Sequence, residues 1–500
     1  MLLSILLLGL LVWISWRWLF TSHISPPGPK RLPILGNYLQ VPIKHPFVQF
    51  FKWKKIYGDI IFLQIFGRNL VVLNSKEAAI DLFEKRSAIY SDRPYRAMAN
   101  LCGFGSGLLF RNYGYVTRNA RKLIQGEMGQ HTISKHQRLQ EQEVQLFVQH
   151  ISTDSSNITA ATQRLAASII LRISYGHVAR TGDPLIDLSA QVQSYMEKVV
   201  TPNRYLVDAL PILRHTPEWF PGAQFQREAR DCRNLFMKLN TVPFQEALLR
   251  VKLGTALPSL VTTNVDESPE NLTEDDLNSL MVAANGLFSG GSLTTVAGIM
   301  TFFLTMVLHP RVQRKAQEEL DSVLGGVRLP NFSDRASLPY LECIIKELLR
   351  WRPGAPLAAH TSLVYDVYRG WIIPAGTVIM ANSWIHTDYK ADMYPDADKF
   401  IPERFISGEA EDPRNLVFGF GRRRCPGMYF MDNLLWILAA TTLCTLDILP
   451  ALNDQGQLSL PTAEFTSDLV PMPLPFDCHL VPRSAQATEL VSDAIASESL

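Results

Sequence analysis

Phe418-Gly419-Phe420-Gly421-Arg422-Arg423-Arg424-Cys425-Pro426-Gly427 sets three glycines, three arginines, a proline and a cysteine in one short segment. The glycines let the backbone turn tightly and approach a flat ligand closely. Pro426 withdraws one backbone donor and fixes a bend, leaving other amides free to point at the sulfur. Donors aimed at a thiolate lower its pKa and tune a metal bound to it. The adjacent arginines supply positive charge for an anionic ligand. Taken alone, the segment also fits a buried structural cysteine in a basic turn, so its surroundings decide.

Working outward, the other cysteines stand alone at Cys102, Cys232, Cys343, Cys444 and Cys478. That is too sparse for a disulfide scaffold and lacks the paired spacing of a structural zinc site. Downstream, 429–448 reads as one long buried helix stopped by Pro450, and the small, polar residues 486–500 as a disordered tail. Upstream, 277–308 is apolar nearly all round, interrupted by Gly290-Gly291-Ser292 and closed by His309-Pro310. Such a helix is a core helix or a membrane span. Its small residues either admit a bulky ligand against the backbone or mark a close helix crossing. Two β-rich stretches complete the pattern. One is a hairpin of 60–66 and 69–73 joined at Gly67-Arg68; the other is 363–379. Between the hairpin and about residue 350 the chain reads as mainly helical.

The N-terminus carries a membrane signal. Residues 2–20 are almost wholly apolar, with Trp13, Trp16, Arg17 and Trp18 near the end. A helix of that length spans roughly 28 Å, close to a bilayer's hydrocarbon core. The tryptophans and Arg17 suit a membrane–water interface. No basic residue precedes the apolar run, which argues against a cleaved signal peptide. Lys30 and Arg31 follow it, so the positive-inside rule puts the rest of the chain in the cytosol. The expected division is an anchor at 1–20, a proline-rich linker at 21–36 holding Pro26-Pro27-Gly28-Pro29, and a large domain at 37–485. Hydrophobic residues at 47% leave room for a sizeable core, and a net charge of +1 argues against a nucleic-acid partner.

Three ordered motifs now carry a resemblance. Phe418, Gly421, Arg423, Cys425 and Gly427 meet the pattern Phe-x-x-Gly-x-Arg-x-Cys-x-Gly, which resembles the haem-binding loop of cytochromes P450. Lys346-Glu347-Leu348-Leu349-Arg350 resembles that family's Glu-x-x-Arg helix, and Pro402-Glu403-Arg404-Phe405 its Pro-Glu-Arg-Phe segment. A lone Glu-x-x-Arg is worth little, because i,i+3 ion pairs are common on helix surfaces. Three motifs in order, behind an anchor and a proline hinge, leave little room for coincidence. The resemblance runs from about residue 26 to 483 and implies a cytochrome P450 fold, mainly α with small β-sheet regions, plus the N-terminal transmembrane helix.

The resemblance further implies heme b, with Cys425 as the axial thiolate that favours O–O cleavage. Arg423 would pair with a propionate; Arg121 and His360 stand where other propionate donors sit in the family, and Phe418 and Gly427 complete the cofactor loop. Glu347, Arg350 and Arg404 would form a buried bracing network. Thr294 would steer protons to bound dioxygen. Substrate contacts would come from Phe288, Gly290, Leu293, Leu357 and Val470. Electrons would come from NADPH through NADPH–cytochrome P450 reductase, docked on a basic patch of Lys122, Arg314, Lys315, Arg422 and Arg424. The implied setting is the endoplasmic reticulum membrane, single-pass, with the catalytic domain in the cytosol. The implied activity is a monooxygenase acting on an apolar molecule, a fungal secondary metabolite such as a terpenoid.

Two departures stand out. The tryptophan expected four residues before Arg121 is Thr117, which removes a usual propionate partner. The acid expected before Thr294 is Leu293, which carries no proton, so delivery would rest on Thr294, Ser292, Thr295 and water. Leu293 therefore keeps two rivals open: a reductase-independent haem-thiolate isomerase or dehydratase, and a non-catalytic haem-binding protein.

Overall fold

The structure, a computed structural model, describes residues 25–154, 157–180, 182–201, 204–265, 272–384, 394–453 and 455–498. The expected anchor at 1–20 lies outside the described residues. In chain order the long helices are α1 (Pro46–Tyr57), α2 (Tyr115–Met128), α3 (Gln137–Thr153), α4 (Ile158–Tyr175), α5 (Pro184–Val200), α6 (Gln224–Lys252), α7 (Glu274–Leu308), α8 (Pro310–Leu324), α9 (Pro339–Trp351), α10 (Met428–Thr445) and α11 (Ala485–Glu498). The strands are β1 (Ile60–Ile65), β2 (Arg68–Leu73), β3 (Leu357–Thr361), β4 (Asp366–Tyr368), β5 (Trp371–Ile373), β6 (Val378–Asn382), β7 (Leu446–Leu452), β8 (Leu458–Ser459) and β9 (Cys478–Pro482).

α7 is the axis of the molecule. Thr273 caps it by accepting from the Asp276 amide, and Glu274, Asp275 and Asp276 place negative charge at its positive end. It is long and apolar enough to cross a membrane, yet 72% of its most apolar window is buried against protein. It is therefore a core helix. The two readings of its central glycines divide between neighbours. A Cβ at Gly291 would come 2.8 Å from Ile170 Cδ1, so that glycine lets α4 pack close; a Cβ at Gly290 would meet nothing within 4 Å. Two turns on, Gly298 lies against Met431 and Leu435 of α10.

The main sheet has the order β1-β2-β6-β3, with β2 and β6 parallel and the other pairs antiparallel. The expected hairpin is present, but its turn is Phe66-Gly67, both at positive φ, and Arg68 already pairs with Ile65. Two such residues make the tight turn whose twist matches paired strands. The proline-rich segment docks on this edge: Phe62 N–H donates to Pro27 C=O, and a Cβ at Gly36 would collide with Gln64 C=O.

Two expectations near the C-terminus are corrected. The helix expected over 429–448 ends at Thr445, and Leu446–Leu452 continues as β7, with Pro450 opposite Cys478. Leu446 and Ile448 are buried while Asp447 is only half-buried, a period of two that outweighs the helical pattern. The tail at 486–500 was expected to be disordered, yet Ala485–Glu498 is helical and packs on α3 and α10. Ala487 and Val491 are buried there, so the domain extends past residue 485.

Candidate haem-thiolate site

The cysteine loop is shaped by its glycines. Gly419 and Gly421 both adopt positive φ, and a Cβ at Gly421 would collide with the Phe83 carbonyl, so no other residue fits there. Gly427 has ordinary φ and open space where a Cβ would stand. Cys425 N–H donates to Phe418 C=O at 2.7 Å, closing the loop, and α10 begins three residues later. Of the six cysteines, five are buried and Cys425 alone is exposed. Burial nonetheless pushes its thiol up, offset in part by the Gly427 N–H at the sulfur and by Arg121 and Arg424. The sulfur is thus desolvated by protein yet keeps accessible surface of its own.

α7 runs close to the start of α10, the helix that follows the cysteine loop. Gly290, Thr294 and Gly298 share one helical face. Gly298 touches α10 just beyond the cysteine loop, whereas Gly290 is exposed and Leu293 and Thr294 keep accessible surface in a largely buried helix. Thr294 Oγ donates back to Gly290 C=O at 2.9 Å. Ser292 and Thr295, expected to help carry protons, are buried, and Ser292 is tied to Phe288 C=O. Among the expected substrate contacts, Gly290, Leu293 and Leu357 have accessible surface. Phe288 has none and packs edge-on to Tyr175, so it belongs to the core; Val470 is also buried.

Beside the loop lies a cluster of cations. Arg423 donates to the carbonyls of Ser91 (2.8 Å), Arg111 (2.7 Å) and, more weakly, Leu108 (3.5 Å), which anchors the segment before α2. Arg121 donates to Arg424 C=O. His360, on β3, stacks on Phe83 at 3.9 Å and gives its Nδ1 proton to Tyr90 C=O at 2.7 Å. Burial, with Arg93 and Arg423 nearby, pushes His360 down to about 3, so the ring is neutral. Burial and the repulsion of Arg423 and Arg121 likewise push Arg93 down to about 9. Arg423 falls to about 10 through burial and Arg121.

Arg93 was not legible in the sequence. It donates to Ala359 C=O, and its buried Nε has no partner. Among the described residues none of these three arginines has a carboxylate within ion-pair distance. Mutually repelling, desolvated cations with an orphaned donor fit a group that brings its own carboxylates. Heme b is such a group, and Arg93 stands among the cations where Thr117 offers only a hydroxyl, spent on Asn112 C=O.

Behind the site, Glu347 accepts from Arg350 Nε (2.6 Å) and Nη2 (2.8 Å), Arg404 Nε (3.1 Å) and the Ile401 amide (2.8 Å). Glu347 and Arg350 are fully buried, and spare guanidinium donors go to the carbonyls of Ala397, Lys399 and Pro395. A second network escaped sequence reasoning because its members are far apart in the chain. Arg414 binds Asp432 (2.6 Å), Glu342 (2.6 Å) and Asp412 (2.9 Å), and Arg335 bridges the same Glu342 and Asp432. Burial works against the Arg414 charge, but the three acids outweigh it and raise its pKa. This network ties the approach to the cysteine loop to α9 and α10.

An accessible cysteine and desolvated cations without carboxylate partners fit a flat anionic group held through sulfur. Residues 26–468 match the Cytochrome P450 family. Cytochrome P450 monooxygenase 136 of Postia placenta is 37% identical over 493 residues, covering 96% of this chain and 93% of that protein. Cytochrome P450 monooxygenase claR of Ampulloclitocybe clavipes is 36% identical over 475 residues, 93% of this chain and 88% of that one. Cytochrome P450 monooxygenase ple1 of Rhodocybe pseudopiperita is 35% identical over 495 residues, covering 97% and 94%. The chain belongs to the cytochrome P450 family, and its relatives are fungal monooxygenases, a class of oxidoreductase.

Proposed function

We propose that this chain is a membrane-anchored haem-thiolate monooxygenase that inserts one oxygen atom from dioxygen into an apolar fungal secondary metabolite, a terpenoid being the favoured class. The observation that carries the reading is Cys425, the accessible cysteine, near cations without carboxylate partners; the accessible surface of Cys425, Gly290, Leu293, Thr294 and Leu357 is taken to line one substrate hollow. Cys425 would hold the iron of heme b; Arg93, Arg121 and Arg423 would hold its carboxylates, and His360 would join them as the imidazolium that a nearby carboxylate favours. When bound, the haem supplies reductive activation of dioxygen and transfer of one oxygen atom.

The chain's own part is to bind, orient and exclude water. Gly290, Leu293 and Leu357 give the hollow an apolar lining, which suits a lipid-like substrate. Thr294 is the hydroxyl within reach of the hollow, and Leu293 beside it offers no acid. Proton delivery therefore runs through Thr294 and ordered water. Lys122, Arg314 and Arg422 are exposed cations that suit docking of the reductase's acidic flavin domain. Lys315 drops out of that patch, since it pairs with Glu403 at 3.0 Å. The apolar residues 2–20 fit an endoplasmic reticulum anchor with the domain in the cytosol.

The test is turnover of a terpenoid panel by the holoenzyme with reductase, with and without NADPH and dioxygen. Strict dependence on both is expected, with coupling improved in Leu293→Asp. Product formed without NADPH would favour the isomerase or dehydratase reading instead.

A further inference from the structure

Arg352, two residues beyond the Glu347–Arg350 pair, has a setting that the bracing network does not explain. Its hydrogen bond is local, Nη1 to the carbonyl of Trp351 at 3.0 Å, and its buried Nε has no partner. Among the described residues no carboxylate pairs with it. Its other contacts are aromatic: the guanidinium carbon lies 4.0 Å from the ring centre of the adjacent Trp351, 5.1 Å from Phe465 and 5.3 Å from Trp384. Those rings come from the end of α9, the stretch before β9 and the end of β6. A planar cation stacks on several aromatic faces at once, which an ammonium does not.

The segments joined in this way carry Leu357 and Val470, two of the expected substrate contacts. Residues 464–474 form a hairpin: Thr466 N–H donates to Met472 C=O at 2.8 Å and Leu474 N–H to Glu464 C=O at 3.0 Å. Phe465 is at its root, and its tip carries Val470, buried at 6% exposure. On α5, burial raises the pKa of Glu197, and the charge of Asp468 near the tip adds to it. The turn after Arg352 leads into Leu357 of β3 and is pinned at Ser383, whose amide donates to Pro356 C=O at 2.9 Å. One cation therefore holds both the exit of α9 and the root of the 464–474 hairpin.

We propose that Arg352 is a positioning residue for the substrate hollow: held among Trp351, Trp384 and Phe465, it fixes the 464–474 hairpin and thereby sets affinity for bulky ligands. This rests on the haem-thiolate reading above. Releasing the root lets the tip move, which weakens a ligand large enough to touch it and spares one too small to do so. A role confined to overall stability changes the yield of folded protein and leaves the ratio of the two affinities alone.

The experiment is spectral titration of the holoenzyme with imidazole and with clotrimazole, an imidazole carrying three phenyl rings. Arg352→Gln is expected to weaken clotrimazole about tenfold, equivalent to about 1.4 kcal/mol, while imidazole stays within about twofold. Arg352→Lys, which keeps the charge, serves if the glutamine variant does not fold, and is expected to show the same selective loss. Phe465→Leu should reproduce the loss, and adding it to Arg352→Gln should cost little more, because both remove one contact. Equal weakening of both azoles, weakening of neither, or multiplying effects of the two substitutions would each overturn the inference. A protein that takes up no haem would instead overturn the functional reading on which it rests.

Discussion

Replacing Glu347 with glutamine tests the bracing network with almost no change in shape. The carboxylate receives four hydrogen bonds from Arg350, Arg404 and the Ile401 amide, all within 3.1 Å. Glutamine keeps one acceptor oxygen and turns the other position into a donor, so that a guanidinium N–H and an amide N–H face each other. Two arginines, one fully buried, then lose their shared counter-ion. Breaking a buried pair in this way costs about 3–5 kcal/mol. With an unfolding entropy of about 2.1 cal/mol/K per residue, a chain of this length has a total near ~1 kcal/mol/K, so the thermal midpoint should fall by about 3–5 °C. The assay is thermal unfolding followed by circular dichroism, with haem content measured alongside. Glu218→Gln is the control: its ion pair with Arg230 is equally short at 2.6 Å, but both side chains are about half exposed. That pair is worth below about 1 kcal/mol, so the midpoint should move by no more than about 1 °C. A Glu347→Gln midpoint that shifts no more than the control's would refute the reasoning.

Arg414→Met removes the bridge among Asp432, Glu342 and Asp412 and should lower the midpoint by about 3–5 °C, with loss of bound haem, as measured by unfolding and haem content; an unchanged midpoint would contradict the network's role. Asp366 gives a pH test: burial raises its pKa, but Arg86 at 2.7 Å and Tyr90 at 2.8 Å outweigh burial and hold it below the usual carboxylate range. Its contribution is complete above the unfolded value of about 3.9 and fades as pH falls through the lower folded value. The midpoint gap between the parent and Asp366→Asn should therefore be constant above about pH 5 and shrink toward pH 3; a gap that widens on acidification would show the sign to be wrong.

How much of this was legible in the sequence depends on how local each signal is. The 60–73 hairpin was readable from β-rich runs around a glycine, and only the turn was misplaced, since Phe66 takes the positive φ that sequence assigns to glycine. The long apolar helix was readable from its near-continuous apolarity, but composition left core helix and membrane span both open, and only its burial against protein decides for the core. Its two central glycines were not separable, because helix phase alone decides that Gly291 meets Ile170 and Gly290 the hollow. The tail failed for a compositional reason. Ala487, Val491 and Ile495 recur at four-residue spacing and make a docking stripe, hidden among small polar residues that suggested disorder. The cysteine loop was legible because its residues are contiguous. Arg93 and Arg414 were not, because their meaning lies in side chains brought together from distant segments.

The measurement that tests the central claim most directly is the reduced, carbon monoxide difference spectrum of the purified full chain beside its Cys425→Ala variant. The account predicts the long-wavelength Soret band of thiolate ligation in the parent and its loss in the variant. Folded parent protein without that band, or a variant that keeps it, would contradict the assignment of Cys425.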